Sequence, residues 1–232
     1  MIKAIVTDIE GTTTSISFVS DVLFPYARQR IRDFVTAHSE NAEVGKLLDD
    51  ARAEIAQPDA SVADVATALE QWIDEDKKIT PLKALQGLIW RTGYEDGSLK
   101  GHLYPEVEGI LRSWHAQGVA LYVYSSGSVA AQKLLFGFSE AGDLTSLFSG
   151  YFDTNIGGKR EADSYQRIAA ELGFQPEEIL FLSDITAELD AAEQAGLLTV
   201  ALDRECICDG FGAHPYVHSF AQIDLTGLSS SS

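Results

Sequence analysis

The sequence predicts an α/β fold built on a parallel sheet and interrupted by an all-helical insertion. Three observations carry this reading. From residue 119 onward, short apolar runs rich in β-branched and aromatic residues alternate with segments of helical period, as in right-handed strand–helix–strand units. A run of the same buried-strand character, IKAIVTD (2–8), stands at the amino end, more than a hundred residues ahead of the next one. Between residues 17 and 101 the periodicity is helical throughout.

In chain order, strand 2–8 is followed by four amphipathic segments, 24–38, 44–55, 62–73 and 82–92, each with apolar residues at three and four spacing. Ser61 is placed to cap the third, with Asp64 three residues on as a capping-box partner. Thr80 and Pro81 read as N-cap and first residue of the fourth. After Tyr104-Pro105 a helix over 106–117 returns the chain to the sheet. VALYVYS (119–125) is a buried strand, and 129–138 its helix, with Leu134, Leu135 and Phe138 at core spacing. GYFDT is a short strand; 164–172 is a helix closed by Gly173; ILFLSD (179–184) is a strand; 187–195 is a helix closed by Gly196; LLTVALD completes the series. The division is therefore a sheet domain over 1–16 and 102–228, a helical domain over 17–101, and a low-complexity tail at 229–232 that is expected to fray. No fixed-period repeat is present, and Trp72, Trp90 and Trp114 are expected in the core.

With 35 acidic against 17 basic residues among 232, the net charge is −18. Such a field repels nucleic-acid phosphates and anionic lipid, which argues against DNA and membrane-surface binding. Asp8 and Glu10 fall where a secretory leader needs its apolar centre, and no run approaches eighteen apolar residues, so a soluble, cytoplasmic protein is expected. Two cysteines, Cys206 and Cys208, fit a reducing compartment better than a disulfide scaffold.

Ligands of open parallel sheets bind beyond the carboxyl ends of the strands, so the polar residues that end each strand are the place to look for chemistry. Asp8 ends the first strand, Glu10 follows, and Gly11-Thr12-Thr13-Thr14 offers amides and hydroxyls to an oxyanion. A lone Asp there is ordinarily a turn cap. Two carboxylates this close repel unless one is protonated or a cation intervenes, and a hard oxygen-ligated ion, Mg²⁺, suits that place. Ser125 and Ser126 read equally as turn residues and as a phosphate seat at a helix N-terminus. Lys159, by default a surface lysine, would neutralise phosphate if it reaches the same rim. Asp184 ends a strongly apolar strand, with helix capping as its bland alternative. Glu188 and Asp190 face solvent or orient neighbours on this reading, rather than binding metal.

In this order, Asp8, Ser125, Lys159 and Asp184 resemble the four motifs of the haloacid dehalogenase superfamily of aspartate-nucleophile phosphatases. DIEGTTTSISFV, VYSSGS, FDTNIGGKREADSY and FLSDITAELDAA are closest to its enolase-phosphatase branch, which has Glu rather than Asp at the position of Glu10. The likeness runs over nearly the whole chain. It implies a three-layer Rossmann-like core under a helical cap that excludes water and selects the substrate. It implies Asp8 as nucleophile and Glu10 as acid/base, with Ser125, Ser126 and Lys159 holding phosphate. One Mg²⁺ would lie at Asp8, Glu10 and Asp184. The implied activity is enolisation and then dephosphorylation of 2,3-diketo-5-methylthiopentyl-1-phosphate to an acireductone in methionine salvage, by a monomer. A phosphatase for another small ester would carry the same motifs. A receiver-type phosphoacceptor module groups its acids early and places its lysine last, unlike this chain.

ECICDGFGA (205–213) departs from the branch and reads as a variable loop. Cys206, Cys208, His214 and His218 are numerous enough for a tetrahedral zinc site, but the C-x-C spacing is tight, and packing is the expected role of both histidines.

Overall fold

The computed structural model describes residues 1–206 and 210–228. They form two compact units: Met1–Ile16 with Gly101–Ser232, and Ser17–Lys100. Gly101 goes with the first because its amide donates to the Phe138 carbonyl and its own carbonyl accepts from the Glu140 amide.

In the helical unit, α1 (Phe24–Ala37), α2 (Ala42–Glu54), α3 (Val62–Asp74) and α4 (Thr80–Glu95) pack one apolar stripe each around a shared core. Ile31, Leu48, Leu69 and Leu85 are its fully buried centre. Asn41 accepts from the amides of Glu43 and Val44 to start α2, and Ser61 with Asp64 closes a reciprocal capping box on α3. Arg28 and Arg32 on α1 pair with Glu70 and Asp74 on α3, which ties those two helices along their polar edges. Thr80 is the first helical residue of α4 rather than its cap. Lys83 already donates back to the Ile79 carbonyl, so Ile79 is the cap and Pro81 sits one residue further in.

The α/β unit contains, among the described residues, a six-stranded sheet: β1 (Ala4–Thr7), β2 (Ala120–Tyr124), β3 (Phe148–Phe152), β4 (Ile179–Ser183), β5 (Leu198–Leu202) and β6 (Tyr216–Val217). Every pairing is parallel and the order is β3-β2-β1-β4-β5-β6. All residues of β1 and of β4 are buried, which is why both read as uninterrupted apolar runs. The helices are α5 (Val107–Ala116), α6 (Val129–Gly137), α7 (Ala162–Leu172) and α8 (Thr186–Gln194). Tyr124, Tyr165 and Phe181 stack edge to face in the core, with ring centroids 5.5 and 4.9 Å apart.

The departures from expectation are local. β3 begins two residues before GYFDT and ends at Phe152, because Asp153 turns away to cap the following bend. Phe138 lies beyond the end of α6 and is 39% exposed, while Leu135 and Phe136 fill the core instead. α7 starts at Ala162, and α8 starts at Thr186. The two-residue β6 is too short for an alternation signal. Trp72 and Trp114 are buried, but Trp90 is only half-buried and donates its indole N–H to the Leu23 carbonyl. The serines at 229–232 lie outside the described residues. No described helix is long and apolar enough to cross a membrane.

Candidate active site

Register brings the chemistry together. Thr7 at the end of β1 pairs with Val123 on one side and Leu182 on the other, so Asp8 comes level with Tyr124 and Ser183 at the carboxyl ends of the three strands. Ser125 and Asp184 each follow one residue later, at the same end of the sheet. The Asp8 amide continues the ladder by donating to the Leu182 carbonyl.

After Asp8 the chain folds into a tight turn. The amides of Thr12, Thr13 and Thr14 converge on the Ile9 carbonyl at 3.2, 2.9 and 2.9 Å, and Gly11 has φ +67°. Glycine is required there twice over: a side chain would be strained in the left-handed region, and a Cβ would overlap the Asp184 Oδ2. Asp8 is 5% exposed. Its Oδ1 accepts from the Ile9 amide at 2.7 Å and pairs with Lys159 at 2.7 Å, whereas Oδ2 carries neither bond.

Lys159 is not a surface lysine. Its side chain is 10% exposed, and its Nζ also reaches Glu188 Oε2 at 2.7 Å. Two buried tyrosines shape its loop: Tyr124 donates to the Gly157 carbonyl at 2.8 Å and Tyr165 to the Lys159 carbonyl at 2.6 Å. Burial lowers the ammonium pKa, but the Asp8 and Glu188 charges outweigh it and hold it above the usual lysine value.

Glu188, on the first turn of α8, is buried rather than solvent-facing, and it orients a neighbour as the alternative reading held. It accepts from the Ser183 hydroxyl at 3.0 Å, and that hydroxyl in turn accepts from the Ile185 amide. Burial, then the Asp8 charge, raises its pKa. Asp184 is affected the same way and is pushed up to about 7, first by burial and then by Asp8. Ile185, not Asp184, caps α8.

Ser125 Oγ accepts from the Gly127 amide at 3.2 Å, and Ser128 caps α6. Buried Gln132 donates to the Gly127 and Phe152 carbonyls at 2.8 Å each and so fixes this turn. Glu10 and Ser126 are exposed. No hydrogen bond joins Ser125 to Asp8 or Lys159 among the described residues; Ser125 and Asp8 share only the carboxyl end of adjacent strands. Beside Asp184 and Gly11 lies a cavity of about 190 Å³, walled by Ile16, Tyr104, Leu202 and Arg204 among others.

Among the described residues no group of three or more His, Cys, Asp or Glu side chains is arranged to hold a metal. His214 is buried and bonded to Thr199 (2.8 Å) and Asp190 (3.0 Å), a packing role that takes it out of any zinc set. Cys206 is free and exposed, with its Sγ 3.5 Å from His218 Nδ1. Cys208 lies outside the described residues. Sequence reasoning missed Gln132, Tyr124 and Tyr165 as supports, because a buried amide or tyrosine inside an apolar run looks like core. It also passed over Arg204 and Glu106, whose partners are distant in sequence.

Two outcomes follow. Gly11→Ala displaces the Asp184 carboxylate and should lower phosphate release by about a hundredfold; an unchanged rate in the folded variant would contradict the packing. In Asp184 and Glu188 the raised pKa means that folding favours the protonated form. The stability these two groups contribute is therefore greatest below the ordinary carboxyl range and is lost as pH rises, through about 7 for Asp184. Carboxylates held below their usual range, such as Glu70 and Glu106, titrate below this window. The thermal midpoint of metal-free protein should fall between pH 5 and pH 8, and Asp184→Asn should flatten the slope; a level profile for the parent protein would count against it.

Residues 2–196 match the model of the haloacid dehalogenase-like hydrolases. An enolase-phosphatase E1 of Yersinia pestis is 58% identical over 97% of this chain and 98% of its own length, and one of Citrobacter koseri is 59% identical over 97% of each. The crystal structure of the UTR4 protein of Saccharomyces cerevisiae superposes with a TM-score of 0.80 at 32% identity, covering 96% of this chain and 100% of that one. This chain belongs to the haloacid dehalogenase-like hydrolase family and, within it, groups with the enolase-phosphatase E1 proteins.

Proposed function

We propose that this protein is an acireductone synthase, which enolises 2,3-diketo-5-methylthiopentyl-1-phosphate and then removes its phosphate. The observation that carries the reading is the ion-paired set Asp8–Lys159–Glu188 beside Asp184, on a chain similar along its length to enolase-phosphatases E1. In the phosphatase half, Asp8 attacks phosphorus through Oδ2 while Lys159 and the Ile9 amide hold Oδ1 in place. Glu10 gives its proton to the departing enol oxygen. Its carboxylate then takes a proton from the water that attacks the aspartyl-phosphate, so that inorganic phosphate leaves and both side chains are restored. The Ser125 hydroxyl, the Ser126 amide and Lys159 bind the remaining phosphate oxygens.

The donor set fits a hard divalent ion. Burial, and after it the neighbouring Asp8 charge, pushes Asp184 up to about 7; a cation between the two carboxylates would relieve both, with Glu10 completing the set. When bound there, one Mg²⁺ per subunit neutralises these oxygens and the phosphate and polarises the substrate carbonyl. The acidic charge supports a small-molecule substrate with no nucleic acid or membrane partner, and we place the enzyme in the cytoplasm as a monomer.

The test is turnover of the diketone phosphate, following enol absorbance and phosphate release separately. Enol should form before phosphate appears, chelator should stop both, and Mg²⁺ should restore them. Phosphate release with no enol signal would leave a simple ester phosphatase. Asp8→Asn conserves volume and removes the nucleophile, so release should fall to background in a folded variant; appreciable release would exclude Asp8 from that role.

A further inference from the structure

We infer that Arg204 is a positioning residue for Glu10, holding rigid the turn from which Glu10 serves as acid and base; this rests on the role of Glu10 proposed above. Arg204 lies two residues beyond β5, on the far side of β4 from β1. Its guanidinium nevertheless reaches the turn after β1, donating from Nε (3.0 Å) and Nη2 (2.7 Å) to the single carbonyl of Thr12. Its Nη1 pairs with the Glu106 carboxylate and lies 3.3 Å from the His218 carbonyl. The side chain is 5% exposed, with the guanidinium carbon 4.1 Å from the centre of the Tyr104 ring and 5.2 Å from that of Phe220. Glu106 is fixed in turn by accepting from the Phe220 amide at 3.2 Å.

The Thr12 carbonyl is a telling place for such a contact. Inside the turn, three amides already converge on Ile9, and Glu10 bridges to Thr14, so the turn moves as one body. Its outward groups decide how that body is oriented. The Thr13 carbonyl accepts from the Tyr104 amide at 3.0 Å, and Thr14 Oγ1 donates to the His102 carbonyl at 2.6 Å. Both hold the side of the turn nearest residues 102–104, and Arg204 alone, among the described contacts, ties it to the end of β5. Two parallel donors on one oxygen, from a flat group clamped between rings and a carboxylate, fix direction as well as distance. Lysine can supply a charge but not that fork. Arg204 also shares the cavity wall with Gly11 and Asp184, so loosening it frees the turn next to the reacting groups.

A purely structural arginine and a positioning one differ in how their loss depends on the leaving group. Proton donation matters for an alkoxide-like leaving group and little for a stable one, and general acid–base help is worth about 10²- to 10⁴-fold where it matters. The experiment compares kcat/KM, which reports the steps through departure of the leaving group, on phenyl phosphate and p-nitrophenyl phosphate for the parent enzyme, Glu10→Gln, Arg204→Lys and Glu106→Gln, with near-ultraviolet circular dichroism to verify folding. Arg204→Lys should lose about tenfold or more of kcat/KM on phenyl phosphate and about threefold or less on p-nitrophenyl phosphate. Glu106→Gln, which keeps shape and removes the countercharge of the guanidinium, should show the same selectivity in smaller measure. Equal losses on both esters, no loss on either, or failure of both variants to fold would overturn the inference. Selectivity in Glu10→Gln but not in Arg204→Lys would overturn it alone, whereas equal losses in Glu10→Gln would remove the acid/base role of Glu10 itself.

Discussion

One buried ammonium facing too many carboxylates is the constraint on which this active site depends. Lys159 lies 2.7 Å from both Asp8 and Glu188, and Asp184 adds a third acid within the same electrostatic reach. One positive charge does not balance three buried acids, and burial first, then the Asp8 charge, raises the pKa of Asp184 and Glu188. The fold tolerates the arrangement because much of it is satisfied by hydrogen bonds: the Ile9 amide on Asp8, and Ser183 on Glu188. On the function proposed above, what remains unbalanced is what a divalent cation, and with it a dianionic phosphate, would relieve.

The supports around this centre share one logic. Asp8, Ser125 and Asp184 stand just beyond strand ends, and the loops around them are tied by buried polar groups. Tyr124 and Tyr165 hold the lysine loop, Gln132 the serine turn, and Arg204 the turn that carries Glu10. Phosphate-ester hydrolysis has one of the slowest uncatalysed rates known, so small displacements of such groups are costly, and rigidity has to extend past the groups that touch the substrate.

Much of this was legible in the sequence. Asp8, Ser125 and Asp184 stand out in the sequence because each follows an apolar run that reads as a strand, whereas Lys159, in the loop beyond β3, is marked only by the resemblance to a family motif. The helical insertion was legible from its stripes and from the Ser61–Asp64 cap. What could not be read depended on distance in the chain. The sequence leaves Glu188 either facing solvent or orienting a neighbour and does not point to Lys159 as its partner, and nothing in AGLLTVALDR marks Arg204 as a partner of Thr12, 192 residues earlier. Pro81 suggested Thr80 as a cap by ordinary preference, but the backbone entered the helix one residue sooner. Phe138 had core spacing yet lies past the end of its helix.

The balance of charge around Lys159 can be measured without any substrate. Calorimetric titration of the metal-free protein with Mg²⁺ at pH 7, in buffers of different ionisation enthalpy, counts the protons released as the cation binds. With the pKa of Asp184 pushed up to about 7 and that of Glu188 raised as well, protons should leave on binding at pH 7, in a number that falls toward none as pH rises above that range. Binding at pH 7 with no buffer dependence would mean that the acids are already fully ionised and at ease with one another, which contradicts the account.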